Sequence, residues 1–218
     1  MIKSRLSIEE TKAMFIFVSK SIIQKKDMLT KADKAIGDGD HGVNMARGFE
    51  NVEKTLKKEE FSSIGNMLNK IGMSLLTNVG GAAGAIFGTL FREGATGLEE
   101  VIVLNSEILA KMLTNGLQAV KKRGKAKPGD KTMVDALEPA VIKAKELIGK
   151  PLNEALKAIT QQAERGMQDT KNMIAKIGKA KTIGKRTIGH PDPGAVSMYL
   201  ILKFMAEFVN NNYKYSQS

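Results

Sequence analysis

Apolar residues recur at spacings of three and four through most of the chain, which is the pattern of helices with one buried face. Alternation of apolar and polar residues, the pattern of strands, is scarce. The clearest helix begins at Ser7, which forms a capping box with Glu10 and is followed by Ile8, Phe15 and Ile22 on one face. The pattern therefore predicts an all-α fold.

Breaks rich in glycine, proline and polar residues divide this pattern into eight predicted helices. They run from Ser7 to about Leu29, from Gly42 to Leu56, from Ser63 to Thr77, from Gly80 to Arg92, from the cap Ser106 to just before Gly124, from near Lys131 through Pro139, from Pro151 to near Ile177, and from the cap Asp192 onward. Pro139 predicts a kink because it lacks the amide that the helix needs.

Short loops between consecutive helices place neighbours antiparallel to each other, so we expect an eight-helix up-and-down barrel or bundle. With 42% hydrophobic residues, 218 residues are enough for one substantial core. We expect a single domain over residues 1–218, with a frayed tail at about 210–218.

Composition narrows the possible chemistry and location. The chain has no cysteine, which excludes disulfides, thiolate nucleophiles and cysteine-bound metals. No apolar run approaches the roughly 20 residues of a membrane-spanning helix, and the start MIKSRLSIEE lacks the apolar segment of a secretory signal. We expect a cytoplasmic protein that does not bind membranes.

The formal net charge of +11 invites comparison with nucleic-acid-binding proteins. The cations are spread along the chain with acids among them, and the 11 aromatic residues, Phe and Tyr, are few for stacking on bases. This distribution indicates a solvated basic surface rather than a nucleic-acid site. Steering towards an acidic partner or a phosphate-bearing ligand remains a second interpretation.

The segment DKAIGDGDHGVN, from Asp33 to Asn44, carries three aspartates within eight residues. Carboxylates this close raise one another's pKa unless a cation neutralises them. Oxygen ligands in this number suit magnesium or calcium, although a solvated, helix-capping turn is an equally good interpretation of the spacing alone. His41 and Asn44 follow at a predicted helix start, where free backbone amides bind anions such as phosphate.

Three further segments could belong to a site. The first, GGAAGAIFG from Gly80, opens a helix with residues small enough for phosphate to approach the amides, although small residues also serve close helix packing. The second, RGKAKPGDKTMVD, could admit a flat ring at Gly124 beside Met133, or could be an ordinary connection. The third, GKAKTIGKRTIGHPDP from Gly178, is basic, glycine-rich and long, and we favour a lid.

The segments IGDGDHGVNMARGF, GGAAGAIFGTLF, RGKAKPGDKTMVDAL and GKAKTIGKRTIGHPDPGA, in this order, closely resemble the L subunit of dihydroxyacetone kinase. The resemblance spans about Asp33 to the final helix. It implies an eight-helix antiparallel barrel that binds ADP or ATP at one mouth through two magnesium ions. The metal ligands would be Asp33, Asp38 and Asp40.

The resemblance also implies which residues line the nucleotide. They are His41, Gly42, Val43, Asn44, Ala82, Ala83, Gly124, Met133, Lys179, Asp192, Pro193 and Gly194. The family usually has serine at the position of Ala83 and arginine at the position of Lys179. These changes remove one hydrogen bond to phosphate and a bidentate contact, which weakens nucleotide binding without abolishing it.

In the bacterial form of this family, a phosphotransferase-system phosphocarrier rephosphorylates bound ADP. The resulting ATP donates its γ-phosphoryl to dihydroxyacetone, or to a related short ketose, on a separate K subunit. The resemblance thus implies both proteins as partners and no covalent nucleophile in this chain; we expect His41 to orient the phosphates and His190 to help close the lid.

Several alternatives stay open at this point. They are a subunit that exchanges free ATP, a nucleotide-sensing regulator without transfer activity and, less favoured, a magnesium-dependent phosphatase. Whether the chain forms a homodimer is also open.

Overall fold

The computed structural model describes residues 3–211. Within that range nine α-helices and two short strands follow one another along the chain. They are β1 Arg5–Ser7, α1 Ile8–Gln24, α2 Lys26–Lys34, α3 His41–Lys58, α4 Ile64–Asn78, α5 Gly81–Gly94, β2 Val103–Asn105, α6 Ser106–Gly124, α7 Met133–Glu146, α8 Leu152–Asp169 and α9 Pro193–Asn210. The predicted all-α fold is confirmed.

Eight of these helices close into a ring. Helix α1 packs against α3, each helix from α3 to α8 packs against the next one, and α9 packs against α1. The apolar faces meet inside the ring, where Met14, Phe15, Phe49, Leu68 and Phe87 are almost completely buried. The helical barrel expected from the sequence is thus observed, with α2 packed outside it on α3.

The predicted first helix is two helices. It ends at Gln24, where Lys25 leaves the helical conformation (φ −91°, ψ 9°), and α2 then continues to Lys34. Asp33 therefore lies in the last turn of α2 rather than in a loop. This break is what directs the chain towards the start of α3.

The predicted seventh helix was too long. Helix α8 ends at Asp169, followed by a 3₁₀ turn, Thr170–Asn172. The hydroxyl of buried Thr170 donates to the carbonyl of Met167 and accepts the amide of Asp192, so the chain turns here to meet the start of α9. The segment expected to be a lid is partly ordered as 3₁₀ helix, Lys179–Thr187, interrupted at Gly184 (φ 63°).

Other details of the helix ends differ from the sequence prediction in small ways. The cap of α6 is Asn105, whose side chain accepts the amide of Ile108, rather than Ser106. The capping box of Ser7 and Glu10 and the cap at Asp192 are confirmed. Helix α7 continues through Pro139. The predicted frayed tail falls mostly on residues 212–218, outside the described residues.

The two strands were not predicted. They pair antiparallel, with Leu6 opposite Leu104, immediately before α1 and α6. Three residues per strand are too few to show a periodicity. Within residues 3–211, no helix combines the length and the apolar character needed to cross a bilayer.

Candidate functional site: an acidic cluster at the mouth of a cleft

A cleft of about 260 Å³ opens at one end of the molecule. Its wall includes the end of α2, the C-terminal end of α6 and the first turns of four helices, α3, α5, α7 and α9. A helix N-terminus presents unpaired amides and the positive end of the helix dipole. Four such ends around one cleft create an electrostatic environment that favours anions.

The predicted metal ligands meet at the rim of this cleft. Asp33, Asp38 and Asp40 each place a carboxylate oxygen so that these three atoms lie within 4.8 Å of one another. Asp33 is nearly buried, whereas Asp38 and Asp40 are exposed. Three carboxylates at this spacing form a donor set that fits magnesium.

Local contacts hold these carboxylates in place. The Asp33 carboxylate accepts the backbone amide of His41 (3.1 Å), which joins the last turn of α2 to the first turn of α3. Gly37 has no room for a side chain, because a Cβ there would lie 2.2 Å from the Asp33 carboxylate. The turn between the two helices is therefore shaped around Asp33.

Lys179 supplies the positive charge that faces this cluster. Its ammonium donates to the Asp38 carboxylate and lies 3.9 Å from an oxygen of Asp40. This hydrogen bond lowers the pKa of Asp38 and raises the pKa of Lys179. The segment predicted to be a lid therefore reaches the carboxylates from across the cleft.

His41 is buried behind the carboxylates. One ring nitrogen, Nε2, lies 2.7 Å from the hydroxyl of Ser197 on α9. Burial lowers the pKa of His41, against the attraction of the Asp33 and Asp40 carboxylates, which favours the neutral ring. The histidine is thus fixed in orientation between α3 and α9.

The start of α5 is open on the cleft side. Among residues 3–211 no side chain caps this helix, whose first residue Gly81 has φ 64° and open space where a Cβ would be. Gly81, Ala82 and Ala83 all line the cleft. Free amides beside small residues let phosphate oxygens approach the backbone.

Part of the cleft wall is apolar. It was largely missed by the sequence reasoning, since Met133 alone of its larger side chains was predicted. Its members are Ile36, Ile86, Phe87, Val120, Met133, Val134 and Ile177. The available signal was the apolar pair Ile86 and Phe87 after the glycine-rich start of α5, and such a pair also fits the core.

Nine of the twelve residues expected to line a nucleotide lie on the cleft wall. They are His41, Ala82, Ala83, Gly124, Met133, Lys179, Asp192, Pro193 and Gly194. In the described part of the chain, Gly42, Val43 and Asn44 are not on it. A Cβ at Gly42 would lie 2.2 Å from the carbonyl of Lys26, so Gly42 allows α2 and α3 to approach each other.

The remaining neighbours of the cleft act through hydrogen bonds. The side-chain oxygen of Asn44 accepts a hydrogen bond from Arg47, whose guanidinium also donates to the carbonyl of Asn78 just before the start of α5.

Burial raises the pKa of Asp192 to about 7, although the hydrogen bond that its carboxylate accepts from the amide of Ala195 acts in the opposite direction. His190, the second histidine, is exposed and lies off the cleft wall of residues 3–211.

Comparison with known proteins assigns the family. The model of the DAK2 domain matches residues 35–207. The chain belongs to the DAK2-domain family. A relative in Escherichia coli K12, the ADP-binding subunit DhaL of the phosphoenolpyruvate-dependent dihydroxyacetone kinase, is 41% identical over 184 residues, covering 84% of this chain and 88% of that protein.

One further relative and one solved structure define the extent of the similarity. The ADP-binding subunit DhaL of the phosphotransferase-system-dependent dihydroxyacetone kinase of Lactococcus lactis is 33% identical over 206 residues, or 94% of this chain and 99% of that protein. The dihydroxyacetone kinase of C. freundii, crystallised with AMP-PNP and Mg²⁺, has the same fold, with a TM-score of 0.72 and 24% identity over 94% of this chain but 35% of its own.

Proposed function

We propose that this chain is the nucleotide-carrying subunit of a phosphoenolpyruvate-dependent dihydroxyacetone kinase, acting as a single domain over residues 1–218. The observation that carries the proposal is the meeting of Asp33, Asp38 and Asp40 at the mouth of a cleft bounded by helix N-termini. The near-complete coverage of two ADP-binding subunits supports the same function.

In this proposal the two sides of the cleft bind different parts of ADP or ATP. The apolar wall, with room left by Gly124, accepts the adenine ring, and the amides at the starts of α3 and α5 bind phosphate oxygens. Asp33, Asp38 and Asp40 hold two magnesium ions. Magnesium, when bound, neutralises the phosphate charge that opposes phosphoryl transfer.

The chain's own residues then supply position and charge rather than a nucleophile. His41, held by its hydrogen bond to Ser197, orients the phosphates. Lys179 carries its charge to the mouth, where it can pair with phosphate once the carboxylates bind metal. The twelve expected nucleotide residues stay part of the proposal, including Val43 and Asn44 at the start of α3.

The acceptor site lies on another protein in this account. The chain covers only 35% of the dihydroxyacetone kinase of C. freundii but nearly all of the two ADP-binding subunits. We therefore place dihydroxyacetone, or a related short ketose, on a separate K subunit. A phosphotransferase-system phosphocarrier is the proposed donor to bound ADP.

Reconstitution with one ADP per chain tests this function. The chain, the K subunit and dihydroxyacetone would be supplied with phosphoenolpyruvate and the phosphocarrier proteins, and dihydroxyacetone phosphate would be measured. We expect many turnovers per ADP, unaffected by hexokinase and glucose, which consume free ATP. Turnover that this trap abolishes would indicate an ATP-exchanging subunit, and retained ADP without any transfer would indicate a sensor.

A further inference from the structure

Lys131 is a buried lysine at the wall of the cleft. Its residue is 1% exposed and lies in the connection between α6 and α7. The ammonium donates three hydrogen bonds, to the carbonyls of Thr170 (2.6 Å), Thr187 (2.8 Å) and His190 (2.6 Å). All three N–H groups are therefore used, and all three acceptors are backbone atoms.

The three carbonyls belong to one segment of the chain. Thr170 follows α8, Thr187 ends the second 3₁₀ helix and His190 precedes α9. Between them the chain carries Lys179 out to the acidic cluster, and just after them Asp192 begins the turn into α9. A single ammonium thus fixes both ends of the segment that forms one side of the cleft.

Lys131 also belongs to the other side of the cleft. The next two residues, Thr132 and Met133, line the cleft and start α7. Lys131 itself has φ 61°, a left-handed conformation that is rare for a residue with a side chain. The backbone of Lys131 therefore has an unfavourable conformation in the structure in which its ammonium reaches the 170–190 segment.

Burying the ammonium of Lys131 costs free energy of desolvation. Burial lowers the pKa of Lys131, and the nearby carboxylates of Asp192 and Asp135 only partly offset this. An apolar side chain of similar length would avoid the cost of desolvation but would leave the three carbonyls without this donor. The ammonium also fixes geometry, because its three short hydrogen bonds hold three carbonyls at set positions around one nitrogen atom.

We propose that Lys131 is a positioning residue for the nucleotide: its three hydrogen bonds fix the base of the 170–190 segment, so that Lys179 and the turn Asp192–Gly194 keep their places on the cleft wall. The inference rests on the proposed function, because it concerns the binding of MgADP. It assigns a role to a residue of the segment RGKAKPGDKTMVD that is neither one of the three predicted metal ligands nor one of the twelve expected nucleotide residues.

The absence of cysteine from the chain allows a matched pair of side chains at this position. Lys131→Cys provides one thiol, which is alkylated in denaturant before refolding. Bromoethylamine yields a thioether side chain that ends in an ammonium, and bromopropane yields one of the same length that ends in a methyl group. The two proteins differ in the charged hydrogen-bond donor alone.

Three readouts are compared in wild type and both alkylated proteins. They are the Kd for MgADP by calorimetry, amide hydrogen exchange of residues 178–192 without nucleotide, and the helical content. We expect the aminoethyl protein to bind MgADP within about twofold of wild type. We expect the propyl protein to keep its helical content, to exchange faster at 178–192 and to bind on the order of tenfold to hundredfold more weakly.

Lys176 supplies a control on the same pair of segments. Its exposed ammonium lies 3.7 Å from the Asp130 carboxylate, so it also joins the α6–α7 connection to the 170–190 segment. Because water screens the exposed ammonium of Lys176, its single ion pair with buried Asp130 contributes little, and Lys176→Met should change the Kd by less than about twofold. A loss equal to that of the propyl protein would overturn the special role of Lys131.

Each remaining outcome is decisive. A folded propyl protein that binds MgADP like wild type overturns the inference alone, as does an aminoethyl protein that binds no better than the propyl form. Lys131→Met is expressed directly and needs no refolding, so it shows whether a neutral side chain at this position allows folding. If Lys131→Met and the propyl protein are both unfolded while the aminoethyl protein folds, Lys131 serves stability and the inference is wrong. A wild type that does not bind MgADP refutes the proposed function itself.

Discussion

The carboxylates of Asp38 and Asp40 are exposed on the cleft rim, so their charge can be removed without disturbing the core. We predict that Asp38→Asn or Asp40→Asn abolishes nucleotide retention and phosphoryl transfer, because an amide is a poor ligand for magnesium beside phosphate. Circular dichroism should show unchanged helical content. Equilibrium dialysis with MgADP and the coupled transfer assay measure the loss.

Asp27 offers a matched control for these two substitutions. It is an exposed aspartate in the first turn of α2, the helix that ends with Asp33 and Lys34, but it is not part of the acidic cluster. Asp27→Asn should leave binding and transfer unchanged. Wild-type turnover in Asp38→Asn or Asp40→Asn would remove the metal-clamp hypothesis.

Asp192 gives a prediction about pH. Because burial raises the pKa of its carboxyl from 3.8 to about 7, the folded protein disfavours the ionised form. Below about pH 4 the carboxyl is neutral in the folded and in the unfolded protein, so it does not change the free energy of unfolding. As pH rises to about 7 the carboxyl increasingly destabilises the folded protein, and above that pH the destabilisation is constant. Asparagine is an equally good N-cap without a charge.

We therefore predict that wild type loses stability relative to Asp192→Asn between pH 4 and pH 7. The loss should be about 1–3 kcal/mol, smaller than the full pKa difference implies, because Asp192 is partly exposed and water stabilises its ionised form. Urea denaturation without nucleotide at several pH values measures it. A difference that does not vary with pH would show that Asp192 titrates normally.

At the scale of the elements, Gly166 sets how closely α7 and α8 approach. A Cβ at Gly166 would lie 2.0 Å from the carbonyl of Asp135 and 3.0 Å from Cγ of Pro139. That carbonyl is the one that a residue with an amide at position 139 would bond, so the proline and the glycine act at the same point. The packing of these two helices in turn places the start of α7 at the cleft.

We predict that Gly166→Ala lowers the free energy of unfolding by about 1–3 kcal/mol, even though alanine favours helix over glycine by about 1 kcal/mol. Gly124→Ala is the control, because its Cβ would lie 3.4 Å from the flexible end of Ile86. Its stability should stay within about 0.5 kcal/mol of wild type. Equal midpoints in urea for wild type and Gly166→Ala would contradict this packing.

The helices and the acidic cluster could be predicted from sequence because their causes are local. Apolar periodicity, the Ser7 capping box and the Asp192 cap are each visible within a few residues. Three other features could not be predicted, because they depend on contacts across the molecule. They are the break at Lys25, the end of α8 at Asp169 and the pairing of β1 with β2. Thr170 ends α8 in contact with Asp192, 22 residues further along.

The cleft wall shows the same division. Asp33, Asp38 and Asp40 are close in sequence and were predicted together. The apolar wall gathers residues from α5, α6 and α7, and Ile86 or Val120 alone looks like any core residue. In the sequence Lys131 looks like one more cation in a basic connection, and nothing in the neighbouring sequence shows that its side chain is buried in the structure.

At the scale of the whole molecule, the ring of helices leaves one end open and the 178–185 segment lies beside it. Lys179 already contacts Asp38 from this segment. We predict that MgADP slows tryptic cleavage within residues 178–185, because phosphate and metal supply further partners for its basic residues. Cleavage after Lys57 or Lys58, at the end of α3, is the internal control. Equal cleavage with and without MgADP would count against a lid.

The central claim is that this cleft holds an adenine nucleotide with magnesium as a resident cofactor, despite Ala83 and Lys179. The most direct test is to purify the protein without added nucleotide, denature it and measure the released small molecules and metals by mass spectrometry. We predict close to one ADP per chain, with two magnesium ions per ADP. Protein that releases no nucleotide, and that fails to bind added ADP in the presence of Mg²⁺, would contradict the claim.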